Sequence, residues 1–149
     1  MREIRFRVVL IFIVFPFIMF GQHKETDGIR VFFLGGQSNM VGYGNNKDLP
    51  KSLNQEFANV FIFHGNPSVV NDSLAGLGKW GKLKPGHGEM FSFDGHKNIM
   101  SNLFGVELSF AKRMQELYPN EKIAIIKYSH GGTSIDSIQK VASWDPDYN

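Results

Sequence analysis

The chain has 149 residues, of which 42% are hydrophobic and 20% charged, a balance typical of one folded domain and not of a disordered chain. Its 16 basic and 14 acidic residues leave a formal net charge of +2. That small excess argues against nucleic-acid binding, because such proteins usually concentrate basic charge on one face. The absence of cysteine excludes disulfide scaffolds, thiol nucleophiles and cysteine-ligated zinc.

The first 21 residues have the pattern of a secretory signal peptide. Arginines stand at positions 2, 5 and 7, and the apolar run VVLIFIVFPFIMF then extends from Val8 to Phe20, just before Gly21. The run is shorter than the roughly 20 residues of a membrane helix, and Pro16 interrupts it. We therefore predict cleavage near Gly21, a secreted or periplasmic location and no stable membrane span afterwards. The alternative is an uncleaved membrane anchor.

The mature domain, residues 22–149, begins with a predicted strand over Ile29–Gly36. Its run IRVFFLGG is rich in β-branched and aromatic residues, which is typical of a strand buried on both faces in a parallel sheet. Ser38 and Asn39 follow at once, where a helix cap or a tight turn is expected. The polar stretch Asn45–Glu56 predicts a loop and then a short helix.

A second strand is predicted over Asn59–His64, and a glycine-rich surface excursion, Gly65–Asn102, follows it. Loops of that length are uncommon unless they build a site or are disordered. Trp80, within the excursion, could stack on a sugar or simply cover the core. Apolar residues at helical spacing then predict a helix over Leu103–Tyr118, with Ser101 and Asn102 offering N-cap chemistry.

The last predicted element is a strand over Lys122–Ser129, closed by Gly131 and Gly132. Strands of this type separated by helices predict an α/β layered fold with a parallel sheet.

The strongest chemical signal is the segment GGQSNMVGYG at Gly35–Gly44. A glycine-rich turn after a buried strand lets the Ser38 hydroxyl stand at the carboxyl edge of the sheet, where open α/β sheets bind ligands. A serine in that position can act as a nucleophile, and free N–H groups at a helix start favour a negative oxygen nearby. Serine and asparagine are also common helix caps, so local chemistry leaves both interpretations open.

This segment resembles the nucleophile block of the sialate O-acetylesterase-like group, carbohydrate esterase family 6, within the SGNH hydrolases. Two further segments match that group in the expected order, Phe104–Leu108 and Lys127–Ser134. Trp144 and Pro146 fall where the group often has a Trp-x-Pro segment. The resemblance spans residues 31–147 and implies an SGNH-hydrolase, flavodoxin-like α/β fold: a three-layer sandwich with a parallel sheet.

The resemblance also implies a reaction: serine-dependent removal of acetyl groups from acetylated carbohydrates, without metal or organic cofactor. Ser38 would attack the ester carbonyl, and the backbone N–H groups of Ser38 and of Gly131 or Gly132 would hold the oxyanion, each such donor being worth roughly 3–4 kcal/mol. The residues regarded as candidates for lining the site are Gln37, Asn39, Glu107, His130 and Thr133. For Glu107, the alternatives are a carboxylate that caps or orients the helix near Ser38 and a plain first-turn carboxylate favoured by the helix dipole.

Two blocks that complete the site in this group, His-Gln-Gly-Glu and Asp-x-x-His, do not occur in the sequence. We therefore expect a C-terminally incomplete domain with little or no esterase activity by itself. The alternative is a non-catalytic carbohydrate-binding remnant or an inactive gene fragment. None of the five histidines matches the missing blocks, and a surface or loop position is expected for His23, His64, His87, His96 and His130. For His130, lining of the substrate cleft is the second interpretation.

Overall fold

The computed structural model of the protein describes residues 28–65, 76–136, 138, 143 and 144. The predictions for the signal peptide, His23 and Pro146 fall outside these residues. Within them, no helix has the length and apolar character needed to cross a membrane.

The described chain forms a mixed α/β structure. Its elements in chain order are β1 (Ile29–Gly36), α1 (Ser38–Val41), β2 (Gly44–Asn45), a 3-10 helix (Asn46–Asp48), β3 (Val60–His64), β4 (Gly81–Lys82), β5 (Ser92–Phe93), β6 (Asn98–Ile99), β7 (Leu103–Phe104), α2 (Glu107–Leu117) and β8 (Lys122–Ser129). All three predicted strands are present, and the second starts one residue later than predicted.

The central sheet is mostly parallel, with the strand order β1-β8-β3-β4. β8 pairs in parallel with β1 along its whole length, from Ile29 opposite Lys122 to Gly36 opposite Ser129, and with β3 on its other side. The short strand β4 adds antiparallel to β3. The carboxyl ends of β1 and β8 therefore meet at one edge of the sheet. The prediction of an α/β fold with a parallel sheet is confirmed in this form, and the three-layer sandwich stays a prediction.

One face of the sheet carries the hydrophobic core. Helix α2 contributes Leu108 and Ala111, which have no exposed surface, and the facing strand β8 contributes Ile123 and Ile125, also fully buried. Phe110 of α2 meets Phe32 of β1 edge to face, with ring centroids 5.1 Å apart. Burial of such side chains stabilises the fold by about 1.5–3 kcal/mol each.

The opposite face of β1 is exposed, so the prediction of a strand buried on both faces is wrong. Val31 and Phe33 are 58% and 63% exposed, whereas Leu34 is 8% exposed. Successive side chains of a strand point to opposite faces, and α2 packs on the face that carries Leu34. Among the described elements, no helix covers the other face.

The helix predicted over Leu103–Tyr118 begins four residues later, at Glu107. Leu103 and Phe104 instead form β7, which pairs antiparallel with β2. Ser101, the predicted cap, uses its hydroxyl to accept the N–H of Leu103 at 3.0 Å. The apolar spacing thus begins in a strand and continues into the helix, and periodicity alone does not mark where the helix starts.

Candidate functional site

Ser38 is the first residue of α1, the four-residue helix that leaves β1. The Gln37 carbonyl accepts the N–H groups of Met40 and Val41 at 2.8 and 3.0 Å, which closes the turn directly behind the strand. Ser38 is half-buried, and its hydroxyl donates a hydrogen bond to the side-chain amide oxygen of Gln37. The serine therefore lies at the carboxyl edge of the sheet, as its position after the glycine turn predicted.

The backbone at Gly42 fixes where α1 ends. Its φ is +92°, in the region that glycine favours, and a Cβ at this position would lie 2.2 Å from the Cα of Gly105 and 2.6 Å from the carbonyl oxygen of Phe104. Only glycine allows this approach. The chain after Ser38 is therefore packed directly against the backbone of the β7–α2 connection.

The glycine turn after β8 stands beside the serine segment. The N–H of His130 donates to the carbonyl of Gly36 at 3.0 Å and so extends the pairing of the two strands beyond Ser129. Gly131 and Gly132 form the turn that follows. The predicted nucleophile and the predicted oxyanion glycines thus leave neighbouring parallel strands at the same sheet edge.

The side chains after this turn form a network of their own. Thr133 donates its hydroxyl to the carbonyl of His130 at 2.7 Å, and the Trp144 indole N–H donates to the Thr133 hydroxyl at 2.8 Å. Trp144 also meets Tyr128 edge to face, with centroids 5.8 Å apart. These contacts hold Thr133 and Trp144 close to the end of β8.

An adjacent cleft of about 540 Å³ brings part of the predicted site together. It is lined by Phe33, Gly35, Gly36, Gln37, Thr133, Ser134, Ile135 and Trp144. Two predicted site-lining residues, Gln37 and Thr133, therefore share this cleft. Asn39 is exposed on α1, and His130 is half-buried.

Tyr43 is a site neighbour that sequence reasoning missed. Its side chain is 58% exposed, and its hydroxyl lies 3.7 Å from the position that a Cβ on Gly131 would occupy. It belongs to the same segment as Ser38, five residues further on. That short spacing from the predicted nucleophile was the available signal.

Glu107 lies in the first turn of α2, but it is fully buried and does not line the open cleft. One carboxylate oxygen accepts the Gly105 N–H at 2.8 Å, and the other accepts the Lys127 ammonium at 2.6 Å. The carboxylate therefore orients the turn before α2 through Gly105 and pairs with a cation from the sheet, in addition to its place near the helix dipole.

Lys127 is the second functional candidate that sequence reasoning missed. Its side chain has no exposed surface, and its ammonium donates to Glu107 and to the carbonyl oxygens of Val41 at 3.0 Å and His87 at 2.6 Å. Burial lowers the pKa of the Lys127 ammonium, and the attraction of Glu107 opposes that shift. The available signal was its position in β8, on the same strand face as the buried Ile123 and Ile125.

His64 and His87 are buried, so the expectation of a surface position is wrong for both, although His87 does lie in the loop between β4 and β5. They are 2% and 1% exposed, their Nδ1 atoms are 3.4 Å apart, and both rings stack on Phe91. Burial, assisted by the Lys127 cation, lowers the pKa of His64 to about 2 and that of His87 to about 3. Both histidines are therefore neutral at pH 7, and both are buried near the carboxyl end of β3. His96 is exposed, as expected.

Trp80 lies at the uncovered side of the sheet. It is 52% exposed and packs against Phe63, with ring centroids 5.8 Å apart. A second, apolar hollow of about 360 Å³ adjoins it. That hollow is lined by Ile29, Val31, Phe61, Trp80 and Ala124. Within the described residues, no group of three or more histidine or carboxylate side chains could hold a metal ion.

A comparison with protein families decides the classification. The model of the family described as carbohydrate esterase, sialic acid-specific acetylesterase, matches residues 28–148. The chain belongs to this esterase family. The resemblance inferred from three ordered motifs is thereby confirmed, and the match includes every residue proposed for the esterase site.

Other comparisons add little to the esterase assignment. No curated protein is similar enough in sequence to be matched. An X-ray structure of a protein from Arabidopsis thaliana is similar at 19% sequence identity and a TM-score of 0.46. The match covers 71% of this chain, which spans 42% of the length of that protein. A similarity of this size is too low to assign a fold or an activity.

Proposed function

We propose that the chain carries the nucleophile half of a serine-dependent carbohydrate O-acetylesterase, with Ser38 as the nucleophile. The observation that supports this most is the hydrogen bond from the His130 N–H to the Gly36 carbonyl, 3.0 Å long. It joins the segment that carries Ser38 to the turn that carries Gly131 and Gly132. The family match supports a carbohydrate ester as the substrate class.

In the proposed reaction, the Ser38 hydroxyl oxygen attacks the acetyl carbonyl while a general base takes the hydroxyl proton. The base then returns this proton to the sugar oxygen, which leaves as an alcohol. The negative oxygen of the tetrahedral intermediate would be held by the N–H groups of Ser38 and of Gly131 or Gly132, each worth roughly 3–4 kcal/mol. Water would then hydrolyse the acetyl-serine and release acetate. The adjacent cleft supports this assignment, because Gln37, which directly precedes Ser38, lines it together with Thr133 and Trp144.

The general base is the missing part of this mechanism. A serine hydroxyl needs a base to react at neutral pH, and the Ser38 hydroxyl bonds to the amide of Gln37, which is not basic. His64 and His87 are buried with Phe91, and their low pKa values make them poor proton acceptors. His130 lies beside the Gly131–Gly132 turn, but among the described contacts the Ser38 hydroxyl bonds to Gln37 and not to His130. We therefore propose that the base lies outside the described residues and that this chain alone hydrolyses esters slowly.

The test is hydrolysis of p-nitrophenyl acetate by the purified chain, its Ser38→Ala variant and a matched Ser109→Ala control. Ser109 is an exposed helix residue whose hydroxyl donates to the Val106 carbonyl. We expect a low rate that disappears in the Ser38 variant and persists in the control. An acetyl group trapped on the Ser38 peptide, detected by mass spectrometry, would identify the covalent intermediate. Equal hydrolysis by the chain and its Ser38 variant would contradict the proposal.

A non-catalytic sugar-binding role is the second candidate, favoured by the hydrogen bond that engages the Ser38 hydroxyl with Gln37. It predicts that an acetylated sugar binds the chain without being hydrolysed, and that Ser38→Ala leaves binding unchanged. Isothermal titration with such a sugar would detect this. A secreted or periplasmic location, where extracellular glycans are accessible, remains part of both proposals.

A further inference from the structure

Lys127 joins three chain segments around α1, the short helix that begins at Ser38. Its ammonium donates to the Val41 carbonyl at the end of α1, to the His87 carbonyl in the long excursion and to the Glu107 carboxylate at the start of α2. An ammonium group has three N–H donors, so each one has a partner. The side chains of the ion pair are completely removed from solvent.

The helix α1, which begins at Ser38, is held on both sides by β8 and the residue that follows it. Before Ser38, the Gly36 carbonyl accepts the His130 N–H at 3.0 Å; after it, the Val41 carbonyl accepts the Lys127 ammonium, also at 3.0 Å. A helix of four residues is not stable by itself, because nucleation costs more than one turn of hydrogen bonds returns. Its position must therefore come from such tertiary contacts.

We propose that Lys127 is a positioning residue, which fixes Ser38 relative to the Gly131–Gly132 turn by anchoring the end of α1 to β8. The inference rests on the proposed function, in which those glycines hold the oxyanion. Lys127 lies in β8 and Gly131 follows it by four residues, two residues after the end of the strand, so the anchor and the turn are close along the chain. A displacement near 1 Å at a reacting group can cost about 100-fold in rate.

The ion pair is not required simply to fill space. Removing two charges from water costs several kcal/mol for each ion, and uncharged replacements of similar size are often neutral or stabilising. A Lys127→Met, Glu107→Gln double variant keeps the volume, and its glutamine oxygen can still accept the Gly105 N–H. It removes the anchor on Val41, so it separates the positioning of Ser38 from packing.

The experiment compares this double variant with the unchanged chain and with Lys112→Met, which breaks an exposed pair with Glu116 on α2. Amide hydrogen exchange is measured at Val41 and Gly42, whose N–H groups bond to Gln37 and Ser38 carbonyls. In the double variant we expect cooperative unfolding, exchange at least about tenfold faster at these two amides, and about a 10- to 100-fold fall in Ser38-dependent kcat with KM nearly unchanged. Lys112→Met should change none of these.

A folded double variant with unchanged exchange at Val41 and Gly42 would overturn the inference. If the double variant does not fold, Glu107→Gln decides, because it retains the Lys127 amino group, whose N–H can still donate to the Val41 carbonyl. That variant should keep the slow exchange, and fast exchange in it would also overturn the inference. Exchange rates are measured without any turnover, so they test the Lys127 anchor independently of hydrolysis. An absence of any effect of Ser38→Ala on hydrolysis would instead refute the proposed function.

Discussion

Individual residues near the serine have backbone roles that side-chain chemistry alone does not reveal. Gly42 combines a φ of +92° with direct contact to the Phe104–Gly105 backbone. The glycine in the motif is therefore required by the close packing of α1 on the β7–α2 connection. The segment that resembles a nucleophile block thus encodes a packing contact as well as the proposed nucleophile.

Replacing Gly42 with alanine tests this requirement. The new Cβ would lie 2.2 Å from the Gly105 Cα, so backbone must move at a position where φ is already unfavourable for alanine. We expect a loss of about 3 kcal/mol or more in the free energy of unfolding. The measurement is urea denaturation followed by tryptophan fluorescence.

Gly81→Ala is the matched control for that substitution. A Cβ at Gly81 would meet nothing within 4 Å, and alanine loses less backbone freedom than glycine in a strand. We expect stability to change by less than about 1 kcal/mol. Equal losses of unfolding free energy at Gly42 and Gly81 would show that the close contact with Gly105 does not require a glycine at position 42.

Sequence could predict Ser38 and the glycine turn because each follows directly from a strand-then-glycine pattern. The alternation along β8 could place Lys127 on the buried face, but its partners could not be predicted, because Glu107 and Val41 lie 20 and 86 residues away. The burial of His64 and His87 depends likewise on two segments 23 residues apart. Long-range polar pairs of this kind leave no periodicity in the sequence.

At the scale of elements, the strands were more predictable than the helix. Each long strand has a continuous apolar run ended by a polar or glycine residue, which is a strong signal. The stripe that predicted a helix from Leu103 begins in β7 and resumes in α2, so its start was wrong. Pairing of β7 with β2 joins Phe104 to Gly44, 60 residues away, and overrides the local preference.

The buried histidine pair at the end of β3 makes the stability of the folded chain sensitive to acid. In the folded chain the pKa values of His64 and His87 are about 2 and about 3, whereas an unfolded histidine titrates near 6.5. As pH falls from about 7 to about 5, the unfolded chain takes up protons that the folded chain does not. Stability therefore falls, by as much as about 1.4 kcal/mol per pH unit for each histidine.

The variant His64→Gln should show a shallower loss of stability over this pH range, because one of the two buried titrating groups is gone. His96→Gln, at an exposed loop position, should keep the slope of the unchanged chain. Urea denaturation across the range gives the free energy at each pH. Identical slopes in the two variants would show that His64 is not held neutral by burial.

At the scale of the whole molecule, the described elements cover one face of the sheet and leave the other face open. Val31, Phe33 and Trp80 are each more than half exposed on the open side, and an apolar hollow lies between strands there. Contiguous apolar surface of this kind usually marks an interface or a site of aggregation. β1 is also an edge strand among the described elements, with unpaired backbone groups that can pair with another chain.

The open face should make the chain self-associate, and Val31→Lys should reduce that association. Val31 is 58% exposed, so a lysine there can extend into water, and a charge on an edge strand also opposes pairing with a second chain. We expect Val31→Lys to bind less of the dye anilinonaphthalene sulfonate and to elute as a smaller species at high concentration, with stability changed by less than about 1 kcal/mol. Leu34→Lys, three positions along the same strand but on the covered face, should unfold the chain, because its ammonium would be buried without a partner. If Val31→Lys associates as strongly as the unchanged chain, the exposed face is not what brings copies together.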